Sequence, residues 1–320
     1  MGVKTIQKPV PWVGTTCGHT TTQGATLDPL NIVAICLDTF RADIVGPGHK
    51  LSHVKTPALD QLAAESVRFT RCFGEAQATL QVRNGCFTGM RFFPSILGYY
   101  GWHEIPDEYP TVAETLVRNG YSTGLIGDTP HMFTPNMNFS RGFLTFEHVR
   151  GQTSDSWKTG SWDLVQDLFK DYFGDYVPKA PSGPEATLYS EGQVLQYLHN
   201  IRDREEEADW FAPRVFSSAS HWIEDNAHNA PFFLWLDCFE THEIFDPPVN
   251  YIQPYNATWT GPKYQQPKYI LNPSLHSDIS GDSVEGLSQE FVDYYKACYM
   301  AEVTFTDKWI GMFLERLDQL

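Results

Sequence analysis

Short apolar runs set against polar, turn-forming stretches organise this chain. Asn31 to Leu37 is apolar without interruption and stops at Asp38-Thr39-Phe40-Arg41. A run this short reads as a buried parallel strand. A carboxylate at the C-terminal end of such a strand sits where open α/β sheets place ligands, and it serves equally well as an N-cap for a following helix. Thr56-Pro57 then opens a periodic segment through Glu65, which predicts a Thr-capped helix with Pro at its start and a strand at Val67 to Phe69. Thr79 is the expected N-cap of a short helix over Leu80 to Thr88, closed by Gly89, with Cys86 and Phe87 turned inward.

That last helix carries the first candidate chemistry. A hydroxyl at a helix N-terminus lies where backbone N–H groups and the helix dipole favour an anion. Arg83, four residues on, shares a helix face with Thr79, so it is placed to hold both the Thr79 oxygen and a substrate oxyanion. The bland alternative is an ordinary helix cap beside a surface arginine.

Composition narrows the classes. At 320 residues and 42% hydrophobic content the chain can bury a large core. A mixed, mostly parallel α/β sheet with helices on both faces is the expected fold, preceded by an irregular arm over residues 1–30 that lacks the apolar segment of a signal peptide. Absence of a long apolar run predicts no transmembrane span, no membrane partner and a cytoplasmic protein. Cys17, Cys36, Cys72, Cys86, Cys238 and Cys298 have no metal or redox spacing and read as reduced, mostly buried thiols. A net charge of −16 argues against nucleic acid as a partner. The run from Arg202 to Glu207 with Asp209 reads as a solvated helix face, and residues 151–185 as a loop-rich insertion that either shapes a pocket or is a surface excursion.

The order strand, Asp38, helix, strand, then Thr79-x-x-x-Arg83 at a helix start resembles the sulfatase family of the alkaline-phosphatase-like superfamily. Further segments are similar to the same family in collinear order: the strand Tyr121 to Gly127, the segment Met137 to Phe143 with Phe146-Glu147, the strand Pro231 to Asp237 leading to His242, and a long helix from Tyr294 to Leu320. The resemblance implies a metal-dependent hydrolase of small anionic esters. Thr79 is its nucleophile, Arg83 its anion clamp, and His242 the proton donor or binder of the transferred group. Asp38, with Thr79, would hold a divalent cation (Ca²⁺, Mg²⁺ or Mn²⁺), and His131, Asp128 and Glu240 would contact substrate. Glu240 and Glu243 beside His242 either raise its pKa or are solvated loop acids.

Departures from the family pattern refine that expectation. A sulfatase converts Cys or Ser at the nucleophile position to an aldehyde; Thr79 is a secondary alcohol, and Gln81 stands where the conversion motif has proline. A phospho-threonine intermediate suits Thr79 better than a sulfo-threonine, which lacks the hemiacetal that ejects sulfate. A phosphate ester, diester (phosphodiesterase chemistry) or phosphonate is therefore expected ahead of a sulfate ester. Thr39 replaces a second Asp after Asp38, and Asp128 and His131 stand where the family has Lys and His. No Asp-His or Asp-Asn pair follows His242, and Asp225-Asn226 precedes the Phe232 strand. The family's final strand and small C-terminal subdomain are therefore expected to be absent. This leaves three readings open: an active hydrolase, a non-catalytic anion-binding relative, or an incomplete copy.

Overall fold

The computed structural model describes residues 2–5, 29–46, 51, 53–74, 78–90, 102–153, 155–174, 191–255, 257–263 and 288–320. In chain order the elements are β1 (Gly2–Thr5), β2 (Ile32–Leu37), α1 (Pro57–Glu65), α2 (Thr79–Thr88), α3 (Val112–Arg118), β3 (Ser122–Gly127), α4 (Pro130–Phe133), β4 (Thr145–His148), α5 (Gln166–Phe173), α6 (Glu191–Ile201), α7 (Phe211–Asn226), β5 (Phe232–Cys238), α8 (Val249–Ile252) and α9 (Gln289–Asp318). The strands form one sheet in the order β1-β2-β5-β3-β4. β2, β5, β3 and β4 run parallel, and β1 pairs antiparallel with β2 at the edge. The expected α/β class, with a mostly parallel sheet and helices on both faces, is what the chain adopts.

Alternation along β5 shows why its run is continuously apolar. Phe232, Leu234, Leu236 and Cys238 pack with Val33 and Ile126 against residues of α6, α7 and α9, including Leu198, Phe216, Ile223, Phe305 and Phe313. Phe233 and Trp235 point the other way, with Cys36 and Leu125, onto Leu80 and Phe87 of α2 and Ala113 of α3. Each fully buried Phe or Leu contributes about 1.5–3 kcal/mol. Several such side chains on one strand outweigh the burial of its single charged group, Asp237, which follows Phe233 and Trp235 onto the α2 face.

Helix ends are set by identifiable groups. α3 starts in a capping box: Glu114 N–H donates to Thr111 Oγ1 (3.1 Å) and Thr111 N–H to Glu114 Oε2 (2.8 Å). α2 ends at Gly89, whose φ of 69° is left-handed and whose N–H donates to the Gly85 carbonyl (2.9 Å). The Thr56 side chain makes no cap bond to α1; the Asp307 carboxylate of α9 accepts instead from the Ala58 (3.0 Å) and Leu59 (2.8 Å) amides. Among the described residues, no helix is long and apolar enough to cross a membrane.

Several local expectations differ. Thr79 is the first residue of α2, and Ala78, at φ 71° and ψ 161°, is its N-cap. No strand follows α1: Val67 and Phe69 are 82% and 76% exposed, and among the described residues no strand pairs with them. Gly2–Thr5, inside the expected irregular arm, is the edge strand β1, while residues 6–28 lie outside the described residues. The expected loop insertion contains α5, anchored by buried Phe169 and Tyr172; residues 154 and 175–185 lie outside the described ones. The charge run lies past the end of α6, with Asp203, Glu205 and Glu206 exposed to solvent as expected, but one member turns inward. Arg204 is buried against Trp210 and Phe211 and paired with Asp246 (3.3 Å), because a guanidinium taken out of water needs a carboxylate and finds planar surfaces to stack on.

Candidate active site

The C-terminal ends of β2, β5 and β3 open on one cavity of about 580 Å³, lined by Asp38, Thr39, Ala78, Thr79, Arg83, Trp102, His131, Thr153, Phe239, His242 and their neighbours. Parallel strands bring these ends together. Asp38 N–H donates to the Cys238 carbonyl (2.9 Å) and Asp128 N–H to the Asp237 carbonyl (3.1 Å), which continues both ladders to the cavity rim. Gly127 makes the β3–β5 approach possible, since a Cβ there would lie 2.8 Å from the Asp237 carbonyl oxygen.

Arg83 is the centre of the site. Its Nη2 and Nε donate to Asp237 Oδ1 (2.9 Å) and Oδ2 (3.1 Å), and its Nη1 pairs with Asp38 Oδ2 (2.8 Å). Burial alone would depress the guanidinium's pKa; the charge of Asp237, reinforced by its hydrogen bonds to the guanidinium and by Asp38, raises it instead, so Arg83 stays a cation. Asp237 also accepts from Thr129 Oγ1 (2.5 Å) and Trp235 Nε1 (3.0 Å). The sequence reading paired Arg83 with the Thr79 oxygen. Nη1 donates to that residue's carbonyl oxygen (3.5 Å), while Asp237 accepts from the other two nitrogens and Asp38 lies beside Nη1 as an ion pair.

Two histidines stand on the same wall. His131, on the short α4, lies edge-on to Trp102 at 4.4 Å between ring centroids; burial, then the nearby His242, pushes its pKa down to about 4. His131 is therefore neutral at pH 7. The His242 ring stacks on Phe239 (4.2 Å), and its Nδ1 donates to the Glu243 carbonyl (2.9 Å), so Nδ1 carries the proton. Glu243 Oε2 lies 3.3 Å from the same nitrogen.

The other expected substrate contacts are not made at this wall. Asp128 is fully buried and accepts from the Phe239 amide (2.7 Å) and Gln152 Nε2 (3.3 Å), tying β3 to β5 behind the cavity. Glu240 accepts from the Ala212 amide (2.9 Å) at the start of α7. A buried carboxylate needs donors, and backbone amides supply them. Burial first, with a neighbouring carboxylate adding to it for Asp128, raises the pKa of both groups. Thr39, at the family's second Asp position, has φ 46° and donates to the Thr241 carbonyl (2.5 Å), while the Thr241 hydroxyl returns a bond to the Asp38 carbonyl. The Cys36 thiol in the wall is raised by burial and stays protonated.

A model of the family described as Sulfatase matches residues 30–320. The chain belongs to the sulfatase family. Iduronate 2-sulfatase of Homo sapiens is 23% identical over 325 residues, covering 95% of this chain and 54% of that protein. Arylsulfatase A of Homo sapiens is 37% identical over 105 residues, covering 31% of this chain and 20% of that one. In fold, the chain is similar to the phosphonate monoester hydrolase of Agrobacterium radiobacter, with a TM-score of 0.58 at 17% identity over 90% of this chain and 59% of the other. The chain thus spans about half the length of the iduronate 2-sulfatase it matches.

Sulfatase-family proteins generally use a divalent metal ion. Among the described residues of this member, no group of three His, Cys, Asp or Glu side chains is placed to hold one. Of the two expected donors, Asp38 keeps a buried Oδ2 that accepts no hydrogen bond, 2.8 Å from Arg83 Nη1, and Thr79 lines the same cavity, while Thr39, at the family's second Asp position, commits its hydroxyl to a backbone carbonyl. Two donors are fewer than a divalent cation takes, so the described residues alone do not complete a site.

Proposed function

We propose that the cavity receives the anionic head of a small ester and that Thr79 attacks it. The reading is carried by the convergence, from separate elements, of Thr79 at the start of α2, Arg83 one turn on, and His131 and His242 from the ends of β3 and β5 around one cavity. The Thr79 oxygen forms a bond to phosphorus as the bond to the leaving oxygen breaks. Neutral His131 takes the hydroxyl proton, and His242, when its second ring nitrogen also carries a proton, gives that proton to the leaving group. Water then displaces the threonine oxygen and releases the acid.

Charge selects among esters. Asp38, Asp237 and Arg83 together carry one net negative charge before a ligand arrives. At 4 Å and an effective dielectric of 20, each charge on the ligand meets about 4 kcal/mol of repulsion, which the helix N-terminus offsets only in part. A monoanionic phosphodiester or phosphonate monoester is therefore favoured over a phosphate monoester dianion. Phosphorus is favoured over sulfur because a secondary alcohol has no hemiacetal route for ejecting sulfate. A non-catalytic anion-binding role is the second reading, since the N-terminus of α2 at the cavity would hold an anion whether or not Thr79 attacks it.

The purified chain is to be assayed with p-nitrophenyl phenylphosphonate, bis-p-nitrophenyl phosphate, p-nitrophenyl phosphate and p-nitrophenyl sulfate, each with Mn²⁺ and with EDTA. We expect turnover of the first two to exceed that of Thr79→Ala by about a hundredfold or more, with a phosphorus adduct on Thr79 in quenched samples. Equal rates in wild type and Thr79→Ala, with phenylphosphonate still binding by calorimetry, would establish the binding role instead.

A further inference from the structure

The cavity is larger than an anionic head requires. Its volume of about 580 Å³ falls within the roughly 300–1,000 Å³ of pockets that enclose drug-sized ligands, so it has room for the organic part of an ester as well. The lining divides by chemistry. Asp38, Thr79, Arg83 and the two histidines are charged or polar, whereas Phe40, Val82, Trp102 and Phe239 bring hydrocarbon to the same space. Trp102 differs from Phe239: it is 52% exposed, while Phe239 is buried and already stacked on His242 (4.2 Å). The indole meets the His131 ring at 4.4 Å and an interplanar angle of 64°, an edge-to-face contact that leaves about half of its surface open.

The partner of Trp102 indicates which part of an ester it would meet, a step that rests on the reading in which His131 takes the Thr79 proton. In an in-line displacement the leaving group departs opposite the attacking oxygen. A group beside His131 is therefore on the attacking side and stays on phosphorus, whereas the leaving group departs toward His242. Phe239 contacts both histidine rings, at 6.0 Å from His131 and 4.2 Å from His242. We propose that Trp102 is a specificity-determining residue that receives a flat aromatic substituent retained on phosphorus. The substrate class is then an arylphosphonate monoester or a phosphodiester whose non-leaving arm is aryl, each a monoanion. An indole offers such a ring a rigid apolar surface in offset-stacked or edge-to-face geometry. A hydroxylated substituent would lose water against Phe40 and Val82 with no hydrogen bond from them in return.

Calorimetry with phenylphosphonate and methylphosphonate, which share a head and differ only in the retained substituent, tests the assignment in wild type, Trp102→Ala and Trp102→Phe. Because Trp102 is half exposed, its truncation leaves the core intact. We expect wild type to bind phenylphosphonate about tenfold more tightly than methylphosphonate. Trp102→Ala should bring the two within about twofold by weakening phenylphosphonate alone, and Trp102→Phe should restore most of the preference. A wild type that does not distinguish the two ligands, or a preference that survives in Trp102→Ala, would overturn the proposal. So would an equal loss for both ligands, which would mean that Trp102 acts on the head through His131. The p-nitrophenyl esters of the two phosphonates hold the leaving group constant, and their kcat/KM values are expected to show the same ratio. Failure of wild type to bind either phosphonate would remove the anion site and this proposal with it. Binding with the expected ratio but without turnover would overturn the reaction and leave the aryl site standing.

Discussion

Asp237 shows most sharply what a single side chain does here. It is the only ionised group on a strand covered on both faces, and it survives there because four donors meet it. Breaking a buried pair by neutralising one partner typically costs 3–5 kcal/mol, since the other charge is left uncompensated. Asp237→Asn is therefore expected to lose about 3 kcal/mol in urea unfolding, and Arg83→Gln a similar amount. The double variant should cost at least about 1.5 kcal/mol less than the two added together. Strict additivity would show that the two residues do not act as a pair. Asp38, Thr79 and Arg83 were legible in the sequence because each sits at a local landmark, a strand end or a helix start. Asp237 was not, because it looked like the close of an apolar run. The available signal was its register: it falls two residues after Trp235 and so faces inward with it.

The short elements owe their positions to groups distant in sequence, and this is where local reading fell short. Thr56-Pro57 correctly marked the start of α1, yet the cap comes from Asp307, about 250 residues away on α9, a contact that no spacing rule contains. Likewise Val67 to Phe69 has strand-forming residues but no pairing partner among the described residues, and β propensity without a neighbouring strand does not make a strand. Asp307 gives the α1–α9 contact a pH signature. Burial, partly offset by the Leu59 and Ala58 amides, raises its pKa from 3.8 to about 6. The folded state thus holds this proton more tightly than the unfolded chain. Its stabilising effect is complete below about pH 4 and is lost as pH rises through 6. At 1.36 kcal/mol per pKa unit this amounts to about 2–3 kcal/mol across the window. Chemical unfolding of wild type and Asp307→Asn at pH 4.5, 5.5 and 7 should show wild type losing ground to the variant as pH increases. Parallel curves would mean that Asp307 titrates normally.

At the scale of the molecule, the parallel α/β architecture was readable because its strands are continuous apolar runs whose ends carry the chemistry, a consequence of covering both faces of a parallel sheet. The direction of the side chains at those ends was less readable: His131 and His242 reach the cavity, whereas Asp128 and Glu240, from the same loops, turn back to cap buried amides. The net charge of −16 bears on the site as a whole. An anionic ester approaches a protein of its own sign and a centre that is itself one charge negative, so long-range electrostatics oppose capture. Salt should therefore help. The Debye length falls from about 30 Å at 0.01 M to about 8 Å at 0.15 M, which screens the distant carboxylates while leaving contacts inside the cavity nearly unchanged. Affinity for phenylphosphonate, measured by calorimetry at those two ionic strengths, is expected to rise by a factor of about two to ten. A fall over the same range would mean that a locally positive funnel dominates, and that the charge balance assigned to Asp38, Arg83 and Asp237 is not the field the ligand meets.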